Sequence, residues 1–162
     1  MKTKSLSHLS AVAKTAIFSL VAATLPACDR QRQGRQQQLT ETIDSFATYY
    51  YNWHFHKAAD YVTDDSRIWL SYMASQVSGN DLEKLNRHTG NATCETSSVV
   101  FENDSTASAT IIVRDHLHMD SIGKEPSLRD KSTATVKIVY VKPRNKWLIT
   151  LKEPLQDEKD EK

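Results

Sequence analysis

Leu39, Ile43, Phe46, Tyr50 and Trp53 recur at alternating spacings of four and three, which draws one apolar stripe down an amphipathic helix. Glu41, Asp44, Ser45, Thr48 and Asn52 fall opposite and predict its wet face. Phe55, Ala58, Ala59 and Val62 predict a short second helix after a tight turn at Trp53-His54. Thr63-Asp64-Asp65-Ser66 offers caps for a third, from Arg67 to about Val77, which stops at Ser78-Gly79. Leu70, Met73 and Val77 lie on one side of it, Ile68 and Tyr72 on the other, and Trp69 between them. Such a helix needs neighbours on two sides. Asn80-Asp81-Leu82-Glu83 has capping-box spacing for one more short helix before Gly90.

From Ala92 the period becomes two. Ala107, Ala109, Ile111, Val113, Leu117 and Met119 share one face of a strand over Thr106 to Met119, with Asp115 out of step. Ser108, Thr110, Ile112, Arg114, His116 and His118 share the other. Ala134, Val136, Ile138 and Tyr140 repeat the pattern, and Trp147, Ile149 and Leu151 continue it. Glu102-Asn103-Asp104-Ser105 and Pro143-Arg144-Asn145 predict hairpin turns, and Asp120 to Lys131 a longer loop. Helices first and hairpin-linked strands after predict an α+β fold, with N-terminal helices on one face of an antiparallel sheet of about four strands.

That order, with Phe55-His56-Lys57-Ala58-Ala59-Asp60-Tyr61-Val62-Thr63 after the first helix and Lys146-Trp147-Leu148-Ile149-Thr150 at the end, resembles the nuclear transport factor 2-like (cystatin-like) superfamily. The resemblance covers residues 39–152 and extends to its small bacterial lipoproteins of unassigned function. It implies a curved sheet wrapped on a long helix, a cone able to hold a ligand, and in many members a homodimer through the outer sheet face. Some members are isomerases, dehydratases or hydrolases, and others are not enzymes. Here the isomerases' oxyanion tyrosine falls at about Phe46, which has no hydroxyl, and their general-base aspartate has no counterpart. No Gly-x-Ser-x-Gly elbow or His-Glu-x-x-His helix is present either. The expectation is a noncatalytic module.

The N-terminus predicts an address. Lys2, Lys4 and Lys14 precede any acidic residue, and Thr15 to Leu25 has the length and flanks of a secretory signal's apolar region. Leu25-Pro26-Ala27-Cys28 resembles the bacterial lipobox, which implies cleavage after residue 27, diacylglycerol on Cys28 and acylation of its amine. An ordinary cleaved signal is the alternative. Lipidation implies a bacterial cell envelope protein held at a membrane, since several acyl chains anchor far more firmly than one. Residues 28–38 hold no apolar side chain after Cys28 and predict a flexible Gln/Arg-rich tether. Residues 39–153 form the domain, and residues 154–162 a charged, solvated tail.

Charge narrows the functions. The 162 residues carry a formal charge of +1, and because the first 27 hold three of the basic residues and none of the acidic ones, the remainder carries −2. That excludes a nucleic-acid binder working through phosphate neutralisation. Four scattered glycines exclude a dinucleotide fingerprint, and two cysteines exclude a thiolate zinc site. No cofactor is implied. With Cys28 lipidated, Cys94 is a lone thiol, expected to be buried as a small hydrophobe.

Two candidate sites remain. Phe46, Tyr50, Trp53, Trp69, Tyr140 and Trp147 all fall on inward faces; packed core is the first reading of them and a small-molecule pocket the alternative. His116, His118 and Asp120 share a strand face and could approach one metal ion, but that face is the wetter one, where solvated histidines are the alternative. The function expected is a noncatalytic module for an envelope protein partner or a small apolar ligand. A small-molecule enzyme and a purely structural dimer are the alternatives.

Overall fold

The computed structural model describes residues 26–88, 90–119 and 124–157. The apolar run at 15–25, Asp120 and residues 158–162 of the expected tail lie outside them. Four helices precede four strands: α1 (Pro26–Tyr51), α2 (Phe55–Ala58), α3 (Arg67–Gln76), α4 (Gly79–Arg87), β1 (Thr93–Asn103), β2 (Thr106–His118), β3 (Ser127–Val141) and β4 (Lys146–Thr150). The strands form one antiparallel sheet in sequence order, and α1 packs across it. The fold is α+β, as the change of period predicts.

The stripe on α1 is the core. Leu39, Ile43 and Phe46 are fully buried against Ala107, Ile111, Val113, Val136, Ile138 and Ile149 of the sheet. Burying each such side chain contributes about 1.5–3 kcal/mol. Asn52 departs from its expected wet position. Its side chain accepts from the Ala92 amide at 2.9 Å and donates to the Ala92 carbonyl at 3.2 Å, clasping the end of α1 to the start of the sheet.

The tether reading is corrected, because α1 runs unbroken from Pro26 and carries Cys28 in its first turn. Gln and Arg are good helix formers that need no core. Gln37 adds an i,i+4 bond to Glu41 at 2.9 Å, and Gln38 reaches the Asn145 carbonyl at 3.4 Å. As helix, residues 28–38 rise about 16 Å, a stalk instead of a coil.

Helix α1 is closed off by Trp53, two residues past its end, which stands at φ 58°. Its amide donates to the Tyr50 carbonyl and the His54 amide to the Tyr49 carbonyl, the paired bonds of a Schellman cap. A left-handed tryptophan costs about 1–2 kcal/mol, which glycine would avoid. Helix α4 is capped two residues earlier than expected: Ser78 and Asp81 form the capping box, with bonds of 3.3 and 2.8 Å. Ser66, fully buried, ties the turn before α3 to the end of β4 by accepting from the Leu151 amide at 2.8 Å.

β3 begins at Ser127, inside the segment expected to be a loop. Its first residues carry alternating charge and little apolar signal, yet pair with β2 through Leu117↔Leu128 and His116↔Arg129. β2 holds a second left-handed residue, Asp115 at φ 54°. Up to Val113 the odd-numbered residues point to the core; beyond Asp115 the even-numbered His116 is buried. The expected wet face is therefore wrong for His116; Leu117 beside it is buried as well, so the clean alternation ends at the left-handed Asp115.

Candidate functional site

Where α1, α2 and α3 meet the far end of β2, they leave a cavity of about 290 Å³. Tyr50, Tyr51 and Trp53 come to it from the last turn of α1, Phe55 from α2, and Tyr72 and Met73 from α3. The strained cap at Trp53 swings that ring off the stripe and onto the wall. Backbone strain of this kind persists only where surrounding structure holds it. Tyr50 meets Phe55 edge-on at 5.5 Å and Tyr51 at 5.3 Å, so the wall is continuous aromatic surface.

His116 and His118 enter from β2, and residues 154–157 cross the same end. The reading of that tail as solvated is corrected at Asp157, whose side chain is only 4% exposed. The Asp157 carboxylate accepts from the Tyr51 hydroxyl at 2.9 Å on Oδ1. Its Oδ2 lies 2.9 Å from His118 Nδ1 and 3.3 Å from His116 Nε2. Burial alone would raise the Asp157 pKa, but the bonds from His116, His118 and Tyr51 together outweigh it and hold the carboxyl well below the usual range. Burial, then the same carboxylate, pushes the Tyr51 phenol up. The cluster is one ionised carboxylate inside an aromatic wall.

Two polar atoms of the wall are unsatisfied. The buried Tyr50 hydroxyl and His116 Nδ1 make no hydrogen bond among the described residues. Burial raises the Tyr50 pKa; the Leu155 backbone lies near enough to oppose the rise in part, without hydrogen-bond geometry, and Asp157 adds to it. Ser132 Oγ lies 3.3 Å from His116 Nε2, the same nitrogen that faces Asp157. A charge relay needs the carboxylate and the hydroxyl on opposite ring nitrogens, so Ser132, His116 and Asp157 do not form one.

The six aromatic candidates separate. Tyr50 and Trp53 line the cavity, while Phe46 is enclosed in the core beside Tyr50, ring centroids 5.4 Å apart. Trp69 is half-buried against the core and outside the lining. Tyr140 and Trp147 stack edge-on at 5.2 Å elsewhere on the sheet, with Phe101 beside Trp147. Of the metal candidates, His116 and His118 come together and Asp157 stands with them. Cys94 is half-buried, and burial, followed by Asp44, pushes its thiol up to about 12.

Sequence reasoning missed Tyr51 and Asp157. Leu155 was the available signal for the latter, an apolar residue in a charged tail that packs on the core and carries Asp157 inward. No protein-family model matches this chain, and no curated protein matches its sequence.

Proposed function

We propose that this protein is a noncatalytic binding module of a bacterial cell envelope, held at a membrane by lipid on Cys28, and that its ligand is a small molecule with an apolar body and one hydrogen-bonding head. The observation that carries the reading is a cavity walled by Tyr50, Tyr51, Trp53 and Phe55, with the buried Tyr50 hydroxyl beside it making no hydrogen bond among the described residues. Buried hydroxyls are nearly always paired, and an orphan costs about 1–3 kcal/mol that a ligand's acceptor can recover. A volume of about 290 Å³ suits a ligand at the small end of the usual range. The helical stretch over residues 28–38 sets the domain off the anchor by about 16 Å. The order of helices and strands is in keeping with the nuclear transport factor 2-like resemblance, which implies a cone able to hold a ligand.

The test is a thermal-shift panel of small aromatic and alicyclic alcohols, acids and amides against the full chain and against Met73→Trp. Met73 lines the cavity half-buried, so a tryptophan there takes up its space while Tyr50 itself is unchanged. Saturable stabilisation of wild type that Met73→Trp abolishes is expected; equal shifts in both proteins refute the cavity as the site. For the anchor, an alkyne fatty acid should label wild type and not Cys28→Ser, and equal labelling refutes lipidation.

A further inference from the structure

The second cluster at the cavity points to different chemistry. His116, His118 and Asp157 each offer one ligand atom, and the three atoms lie within 4.8 Å of one another. Zinc–ligand bonds of about 2.0–2.1 Å in a tetrahedron give ligand–ligand edges of about 3.3–3.4 Å. The His116–Asp157 edge is 3.3 Å and the His118–Asp157 edge 2.9 Å. The remaining edge has to close by at most about 1.4 Å to complete one face of that tetrahedron.

We propose that His116, His118 and Asp157 form a three-ligand site for a divalent transition ion of the zinc type, its fourth position open to the aromatic cavity. The proposal does not depend on the small-ligand reading, since the cluster exists whether or not the cavity holds anything else.

Two histidines and one carboxylate are a borderline-soft donor set that suits zinc and its first-row neighbours over calcium or magnesium. The supports are already built. Tyr51 holds the outer carboxylate oxygen at 2.9 Å, which leaves Oδ2 aimed at the two imidazoles. His116, one residue past the left-handed Asp115, is 1% exposed, and the Ser132 hydroxyl 3.3 Å from its Nε2 gives up that contact when the nitrogen takes an ion. The third ligand arrives from residues 154–157, so an ion would also tie that segment down across the cavity.

One feature sets the strength. Coordination through His116 Nε2 puts the ring's proton on Nδ1, which has no acceptor among the described residues. Zinc histidines are usually backed there by a carboxylate or carbonyl, and losing that backing costs about 10–100-fold in affinity. The site should be correspondingly weaker than a fully backed one.

The experiment uses the full chain in detergent, without a polyhistidine tag, stripped with chelator and titrated calorimetrically with zinc. One equivalent is expected, with His118→Ala and Asp157→Asn each weakening it by about tenfold or more. His54→Ala/His56→Ala, which changes exposed or surface imidazoles outside the cluster, should leave the affinity alone. X-ray absorption at the zinc edge of wild type should show two imidazole ligands, a readout that stands even if a variant folds poorly. No saturable binding at submillimolar zinc, binding unchanged in folded variants, or fewer than two imidazoles at the edge would each overturn the site.

Discussion

Replacing Tyr50 with Phe removes one oxygen from the most telling atom of the cavity wall. Tyr50 is 5% exposed, and its ring stacks with Phe46, Tyr51 and Phe55 at centroid separations of 5.4, 5.3 and 5.5 Å. Phenylalanine keeps all three contacts. For a tyrosine with a satisfied hydroxyl, the change costs about 0.5–1.5 kcal/mol for the lost hydrogen bond. Here the hydroxyl has given up water without a partner, a penalty of about 1–3 kcal/mol that phenylalanine relieves. Against that stand the few dispersion contacts of one oxygen, about 0.1–0.2 kcal/mol each. The expected result is therefore no loss, and a gain of up to about 1–2 kcal/mol. Urea melts of wild type and Tyr50→Phe, compared at equal slope, give the number directly. A loss of more than about 0.5 kcal/mol would mean the hydroxyl is bonded within the fold, and that it is not held for a ligand. A destabilising polar group kept in a binding site is the usual exchange of stability for function.

Trp147→Ala should cost about 3–5 kcal/mol in the same melts, since the indole is 3% exposed against Tyr140 and Phe101; a cost under about 1 kcal/mol would show the site collapses freely. Because the Asp157 carboxyl is held below its ordinary value, its contribution is complete above about pH 4 and drains as pH falls through the folded value. Asp157→Asn should flatten that acid limb of stability against pH, and an unchanged limb would show that other carboxylates govern it. Cys94, with its thiol pushed up to about 12 by burial and by Asp44, should react with iodoacetamide at neutral pH orders of magnitude more slowly than after unfolding. Equal rates would place that sulfur in water.

The core of the fold was legible because it is periodic. The stripe from Leu39 to Tyr50 and the alternation from Ala107 to Val113 each repeat local geometry, and local geometry is what spacing encodes. The candidate site was legible only in part. His116 and His118 stood out as a pair, but the wet face expected of them fails at His116, since the alternation breaks at the left-handed Asp115 and no spacing rule anticipates it. Asp157 was hidden for another reason: its burial comes from partners 106 and 41 residues away, at Tyr51 and His116, while the residues after it are charged. Asn52 failed in the same manner, since its bonds to Ala92 are long-range and its helical position reads as wet. The Gln/Arg stretch misled in the opposite direction, because absence of apolar residues excludes packing but not helix.

The claim that the cavity takes a ligand can be tested at its own walls. The chain has three methionines, Met1, Met73 and Met119, and the last two line the cavity. With methyl-¹³C methionine in the protein, addition of the best compound from the thermal-shift panel should move the Met73 and Met119 resonances together and saturably. If the compound stabilises the protein while neither cavity methyl moves, it binds elsewhere, and the cavity is not the binding site.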